Sequence, residues 1–328
     1  MAAKPADQKR DSYIDFLKGI AMIMVVVGHS VSGIHKADVL FNFIYSFHMP
    51  LLFFCSSYIE ELYGAKYVGR EGVMLRKRIG GLLFPYLSWT VIGAALSGRL
   101  WKIGMNGFLF ELLGYEQSGL WFLPVLFGLK AMHILYWIAR RRTKRNTFLV
   151  NMAFCLGMEI IIGLLAVLTR HPYIVNMLSY AIPYFFAVIA VECREIEKLL
   201  RSEWMVAGAM FVYVLLFPYF SFYDTRWVTQ ILRIGMSLCV IVVCLKGKEC
   251  QSKDRIYDMT CFYGRNSLAV YVLHGFLLDY KGCFDRMDSA FMIGALAVVM
   301  AVLVSTVCIM AARCIEISSW WKKVLLGK

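Results

Sequence analysis

Long apolar runs separated by short polar segments dominate the chain. A transmembrane α-helix needs about 20 predominantly apolar residues, and ten runs have roughly the required 17–25. These runs cover 13–34, 41–59, 79–98, 119–138, 148–169, 173–192, 205–222, 227–245, 265–280 and 290–312. The pattern therefore predicts an all-α, polytopic membrane helical bundle with about ten transmembrane helices.

The composition agrees with a membrane protein. Of 328 residues, 60% are hydrophobic and 17% are charged, and the mean hydropathy is +0.63. A soluble domain does not need so apolar a composition to fill its core. Neither an internal repeat nor a polar stretch long enough for a soluble domain occurs, so we expect one domain over 1–328. The run 13–34 lacks a cleavage-site pattern and is predicted to be a retained span.

The distribution of positive charge predicts the orientation. Most of the 35 Lys and Arg residues fall in alternate segments along the chain. These basic segments are the first ten residues, 66–78, 140–145, 194–201, 246–255 and 313–328. Because cytoplasmic loops carry the excess of Lys and Arg, both termini are predicted to be cytoplasmic. The net charge of +13 then reflects topology and a bilayer partner rather than nucleic acid. We expect a multi-pass protein of the cell's inner (plasma) membrane.

Cysteine and histidine spacings do not predict a metal site. The ten cysteines form no CxxC pair and mostly lie in apolar runs, where free cysteine behaves as a small hydrophobic residue. No two histidines stand at helical metal-ligand spacing with a carboxylate. We therefore expect no metal cofactor.

Two ionisable residues mark different depths of the first span. Lys18 falls within the first two turns, and the helical rise of ~1.5 Å per residue places His29 ~16 Å further toward the outer face. Lys18 alone is equally consistent with an interfacial lysine that snorkels. An ionisable residue inside a span is a functional candidate. His48, on the next span, is predicted at a depth similar to that of His29, although a hydrogen bond to a nearby carbonyl explains it equally well.

Five motifs resemble the integral-membrane acyltransferase-3 family. They are "RDSYIDFLKGIAMIMVVVGHS", "FHMPLLFF", "RKRIGGLLFPY", "GLWFLPVLF" and "GRNSLAVYVLHG", in the family's order. Within the family, the chain looks most like the fucose 4-O-acetylase and polysaccharide O-acetyltransferase group. The sequence departs from the family in having Lys18 where many members have arginine, which loses the bidentate fork, and in "CSSY" (55–58).

The resemblance implies transfer of an acyl group, usually acetyl, from cytoplasmic acyl-coenzyme A to a sugar hydroxyl. The acceptor would be an envelope polysaccharide or a lipid-linked glycan, and acetyl-CoA would be the co-substrate. The family's Arg-x10-His feature falls on Lys18 and His29, and its Arg-x-Arg feature falls on Arg76 and Arg78.

The residues themselves suit this chemistry. Lys18, Arg76 and Arg78 are candidates to bind the phosphates of coenzyme A, because charge-assisted hydrogen bonds to phosphate are strong. His29 is the candidate general base, and His48 is a second catalytic candidate. An acyl-histidine intermediate is the competing mechanism.

Three further residues are candidates for binding the acceptor. Trp121 has the ring to stack on a sugar, although an interfacial aromatic belt explains it equally well. Tyr271 and His274 share a helix face and are candidates to line the same cavity. A helix–helix hydrogen bond accounts for them at least as well.

Two other function classes remain open from the sequence. A transporter of a small solute or acyl donor would use Lys18, His29 and Glu159 in a path through the bundle, but the expected internal repeat is missing from the sequence. A catalytically silent scaffold would give no reason for His29 and His48 to share a depth.

Overall fold

The structure is a computed structural model that describes residues 11–64, 67, 69–112, 119–142, 148–224, 226–249, 254–284 and 287–328. Every regular element in these ranges is helical. The principal helices are α1 (Ser12–Val31), α2 (Asp38–Tyr45), α3 (His48–Gly64), α4 (Glu71–Arg78), α5 (Phe84–Leu96), α6 (Arg99–Leu112), α7 (Phe122–Arg142), α8 (Phe148–Thr169), α9 (Pro172–Glu192), α10 (Arg194–Leu200), α11 (Glu203–Leu216), α12 (Trp227–Gly247), α13 (Arg255–Arg265), α14 (Ser267–Leu273), α15 (Ala290–Ile315) and α16 (Ser319–Leu326). Parts of the predicted basic segments, at 1–10, 66, 68, 143–147 and 250–253, lie outside the described residues.

The all-α membrane bundle is confirmed. Within the described ranges, eight helices are long and apolar enough to cross a membrane, and α10 with α11 forms a ninth candidate bent by 60°. The predicted span 265–280 is not one long helix. After a break at Asn266 the helix α14 ends at Leu273, and 3₁₀ turns follow over His274–Leu277 and Asp279–Cys283. The Asn266 amide donates a hydrogen bond to the carbonyl of Phe262, a local bond that competes with helix continuation.

Apolar side chains cover much of the bundle's outer surface. On α8, Leu156, Ile160 and Leu164 are each more than half exposed, and α11 and α15 carry similar exposed residues. A helix of a soluble protein would hide such side chains or point polar ones outward. The protein is therefore a multi-pass membrane protein whose exposed apolar faces contact lipid.

Glycines bring α1 and α13 into backbone contact. A Cβ added at Gly19 would lie 2.0 Å from the carbonyl oxygen of Thr260, and one added at Gly264 would lie 1.7 Å from that of Asp15. Small residues allow this close approach between membrane helices. Gly19 and Gly264 both belong to the sequence motifs, and their packing fixes the depth of Lys18 and His29 relative to α13 and α14.

A π-helical turn, Ile79–Leu83, joins α4 to α5 directly after Arg76 and Arg78. Gly327 follows α16 with φ +63° and packs against the turn; a Cβ on it would lie 2.6 Å from the Cα of Gly81. The indole of Trp89 on α5 donates a 2.8 Å hydrogen bond to the Leu325 carbonyl. The C-terminal helix thus braces the segment that carries the two arginines.

Candidate active site

His29 lies inside the bundle, near the end of α1 and beside a second histidine. It is half-buried, and its ring centroid is 5.3 Å from that of His274 and 6.4 Å from that of Tyr45. Tyr45 in turn contacts the His48 ring at 4.7 Å. We call His29, Tyr45, His48 and His274 the outer histidine cluster, because they lie toward the end of the bundle predicted to face outward.

The sequence predicted a similar depth for His29 and His48, and their shared contact with Tyr45 agrees with it. His48 is only 3% exposed, and its Nδ1–H donates to the carbonyl of Ile44 at 2.7 Å. This is the backbone hydrogen bond that the sequence left open as the alternative to catalysis. Because a carbonyl only accepts, Nδ1 carries the proton and Nε2 of the neutral ring is an acceptor.

His274 is held in the same manner. Its Nδ1 lies 3.0 Å from the Val270 carbonyl and 2.8 Å from the Tyr271 carbonyl, so that Nδ1 donates and Nε2 of the neutral ring is left as the acceptor. The ring belongs to a 3₁₀ turn that follows α14 and is buried. The fold thus brings a predicted acceptor-binding residue directly against the predicted base.

Tyr271 ties α14 to the start of α7. Its hydroxyl donates to the Gly119 carbonyl at 2.9 Å and accepts from the backbone N–H of Phe122 at 3.2 Å. The hydroxyl proton is thereby committed to the protein backbone. This arrangement matches the helix–helix hydrogen bond that the sequence allowed, and it orients the neighbouring Trp121.

Trp121 belongs to an aromatic stack. Its ring stacks on Tyr180 with centroids 5.5 Å apart, and Tyr180 stacks on Phe53 at 4.7 Å. Trp121 is half-buried, so part of its indole remains accessible beside the rings. Such a surface has the shape and polarity on which a sugar ring stacks.

The predicted donor-binding residues lie toward the opposite end of the bundle, which we call the inner end, but they do not all meet. Lys18 is half-buried and within electrostatic range of Lys130 on α7. Arg78 donates to Glu60 Oε1 through Nε at 3.0 Å and Nη2 at 2.7 Å. Arg76 is exposed on α4, and no described contact brings it to Lys18 or Arg78. Lys18 and Arg78 therefore share the neighbourhood of Lys130 and Glu60, while Arg76 lies on the rim.

A buried charge network near the inner end was missed by the sequence reasoning. One part joins Glu60 to Lys130 and Arg78. In the other part, Glu61 accepts hydrogen bonds from His133 Nε2 at 2.7 Å and from the Trp137 indole at 2.9 Å. Arg140 also bridges Glu61 and Glu192, at 3.5 and 2.6 Å. We call Glu60, Glu61, Arg78, Lys130, His133, Arg140 and Glu192 the inner charge network.

The sequence does carry a signal for this network. Lys130, His133, Trp137 and Arg140 are spaced by three or four residues on α7, which places them on one helix face. Two adjacent glutamates directly after the apolar run 41–59, in "YIEEL" (58–62), are a second signal. From the sequence, Arg140 counts only as part of a basic segment that predicts orientation.

The two ends of the site suit different chemistry. The outer histidine cluster places the imidazoles of His48 and His274, each donating through Nδ1 to the backbone, in the neighbourhood of His29. The inner end supplies cations at Lys18 and Arg78 close to the surface. A substrate that is anionic at one end and reactive ~16 Å away would match the rise of α1 between Lys18 and His29.

Comparison with known proteins gives a match to a family model. A family model described as an acyltransferase domain matches residues 11–312. No curated protein and no solved structure matches significantly. The family match supports an enzyme and gives the transporter alternative no support.

Proposed function

The chain belongs to the acyltransferase-3 family of membrane proteins, and on that premise we propose that it is an O-acyltransferase, most specifically an O-acetyltransferase. It moves an acyl group from cytoplasmic acyl-CoA to a hydroxyl of an envelope polysaccharide or lipid-linked glycan. We place it in the inner (plasma) membrane and nearest to the fucose 4-O-acetylase group. The pairing of His29 with His274 inside the bundle, on the helix that carries Lys18 at its other end, is the observation that carries this proposal.

On the donor side, Lys18, Arg76 and Arg78 bind the phosphates of acetyl-CoA. The 30% exposure of the Arg78 side chain and the exposed position of Arg76 support this role, because both guanidinium groups can be reached from the inner end. Lys18 is half-buried on α1, whereas Arg76 is exposed. At that position Lys18 would contact the start of the pantetheine arm. The thioester then extends toward His29.

In the reaction, neutral His29 removes the proton from the acceptor hydroxyl as its oxygen attacks the thioester carbonyl. The C–S bond breaks, the acetyl group remains on the acceptor oxygen, and the coenzyme A thiolate leaves with the proton returned from His29. His274 and His48 lie close enough to orient or assist the ring. Transfer through an acetyl-His29 intermediate is the alternative, and acid-quenched protein labelled without acceptor would reveal it.

The test supplies radiolabelled acetyl-CoA and a broad glycan panel to the purified protein in lipid nanodiscs. A general base contributes about 10²–10⁴-fold, so His29→Ala should lose transfer by that factor and still bind acetyl-CoA. Arg76→Ala and Arg78→Ala should weaken acetyl-CoA binding instead. His35→Ala, an exposed histidine in the loop after α1, is the matched control and should behave as the intact protein.

An intact protein that labels no acceptor across the panel would overturn this function. A folded His29→Ala variant that transfers acetyl at the intact rate would overturn the assignment of His29 as the general base. Equal loss of acetyl-CoA binding in His29→Ala, Arg76→Ala and Arg78→Ala would refute the separation of binding from chemistry.

A further inference from the structure

Arg233 is a cation on an apolar span, and no carboxylate lies within ion-pair distance of it in the described part of the chain. It is half-buried on α12, and its guanidinium lies 5.1 Å from the centre of the Tyr180 ring. Nη2 donates to the side chain of Gln230. Its Nε is buried and has no hydrogen-bond partner among the described atoms.

Three other cations embedded in the bundle have carboxylate partners. Lys130 and Arg78 share Glu60, and Arg140 contacts Glu61 and Glu192. Burying a charge without a counter-charge is unfavourable, and ionisable groups in spans commonly mark substrate paths. A cation that the chain leaves without a carboxylate is therefore suited to an anion that comes from outside the chain.

The surroundings of Arg233 point to the acceptor rather than the donor. Tyr180, under the guanidinium, also stacks with Trp121. Arg233 is within electrostatic range of His48, which contacts Tyr45 of the outer histidine cluster. α12 packs against α3 and α9, the helices that carry His48 and Tyr180. Arg233 thus lies near the outer histidine cluster, and none of the described hydrogen bonds or ion pairs joins it to the inner charge network.

We propose, resting on the proposed function, that Arg233 binds an oxyanion on the acceptor sugar, while Trp121 and Tyr180 contact the sugar ring. The guanidinium lies over the Tyr180 ring, and its Nε–H has no partner among the described atoms, so it can donate to a carboxylate or phosphate. The acceptor is therefore an acidic sugar or a sugar phosphate rather than a neutral glycan. Specificity would follow from the uncompensated charge that a neutral sugar leaves beside Arg233.

The test measures binding of glucose, glucuronate and glucose 1-phosphate to the purified protein by isothermal titration calorimetry in detergent. At least one of the two anionic sugars should bind at least tenfold more tightly than glucose, and comparing them distinguishes a carboxylate site from a phosphate site. Arg233→Gln should abolish this preference, and Arg233→Lys should retain part of it because the charge remains. Arg226→Gln is the matched control, because Arg226 is exposed near the start of α12 and pairs with Asp224.

Several outcomes would overturn the inference. They are equal affinity for glucose and both anionic sugars, no binding of either anion, or an unchanged preference in Arg233→Gln. Retained preference in Arg233→Lys shows that the fold survives substitution at this position. Acetyl-CoA binding and transfer are measured in parallel on the intact protein. Their absence counts against the proposed function, whereas their presence without an anion preference counts only against Arg233.

Discussion

The inner charge network and the outer histidine cluster both bury histidines, but they satisfy them with different partners. His133 donates to the carboxylate of Glu61, and its Nδ1 accepts from the Tyr184 hydroxyl at 3.2 Å. His48 and His274 donate through Nδ1 to backbone carbonyls instead. Both nitrogens of His133 are therefore held by side chains, one of them a carboxylate, whereas the Nδ1 atoms of His48 and His274 are held by neutral backbone carbonyls. The difference separates a network suited to stability from a cluster suited to proton transfer.

The largest effect should come from removing the carboxylate at the centre of the inner charge network. Glu60→Gln leaves Lys130, whose side chain is 8% exposed, buried without its counter-charge. Breaking a buried pair from one side costs about 3–5 kcal/mol, so the free energy of unfolding in mixed micelles should fall by that amount. The double variant Glu60→Gln/Lys130→Met should recover part of the loss. If the double variant were less stable than Glu60→Gln alone, loss of the Glu60–Lys130 pair would not be the source of the destabilisation.

A smaller loss should follow from the histidine of the same network. His133→Leu removes a charge-assisted hydrogen bond to Glu61, worth about 1.5–3 kcal/mol. Glu61 keeps the Trp137 indole and Arg140, which limits the penalty. Chemical unfolding of the intact protein and the variant measures the difference. We expect a smaller loss of unfolding free energy for the variant His48→Leu in the outer histidine cluster. If His133→Leu lost less than His48→Leu, the proposed difference between the inner charge network and the outer histidine cluster would be contradicted.

Much of the fold follows from local sequence, and α8 shows why. Its predicted run, 148–169, coincides with the observed helix Phe148–Thr169, because a continuous apolar segment in lipid must form helix to satisfy its backbone. The run 265–280 is not a single helix, because α14 ends at Leu273 and the chain continues in 3₁₀ turns. The length of an apolar run does not predict where such a change of helix type occurs.

The site was less predictable because its contacts join distant segments. The sequence identified both His29 and His274 as candidate site residues from their residue type and motif. Neither segment, however, predicts that α14 packs beside α1. Glu60 and Lys130 lie on different helices, and their pairing depends on how α3 packs near α7. The spacing along α7 could have identified the polar face. The identity of its partners required the packed bundle.

Replacing His48 tests how much the outer histidine cluster contributes to the free energy of unfolding. Its hydrogen bond goes to a neutral carbonyl that also accepts from the backbone N–H of Phe47 at 3.2 Å. His48→Leu should therefore cost only about 0.5–1.5 kcal/mol of unfolding free energy, as for a typical neutral hydrogen bond. Acetyl transfer is measured on the same preparation. A fall in transfer at unchanged folded fraction would support a catalytic role, and unchanged transfer would restrict His48 to packing.

The smallest effect should come from an exposed pair, which is the reference for both buried regions. Lys36 Nζ lies 2.6 Å from Asp288 Oδ1, and Asp288 is fully exposed. The hydrogen bond from Lys36 holds the pKa of Asp288 below its ordinary 3.8. Because the folded pKa is the lower one, the pair stabilises the fold above about pH 3.8 and loses this contribution as the pH falls through the folded pKa. Asp288→Asn should thus be slightly less stable than the intact protein at pH 7, and the gap should close in acid and in high salt. A gap that widens in acid would mean that Asp288 acts through something other than its charge, and it would remove the exposed pair as a reference for Glu60 and Lys130.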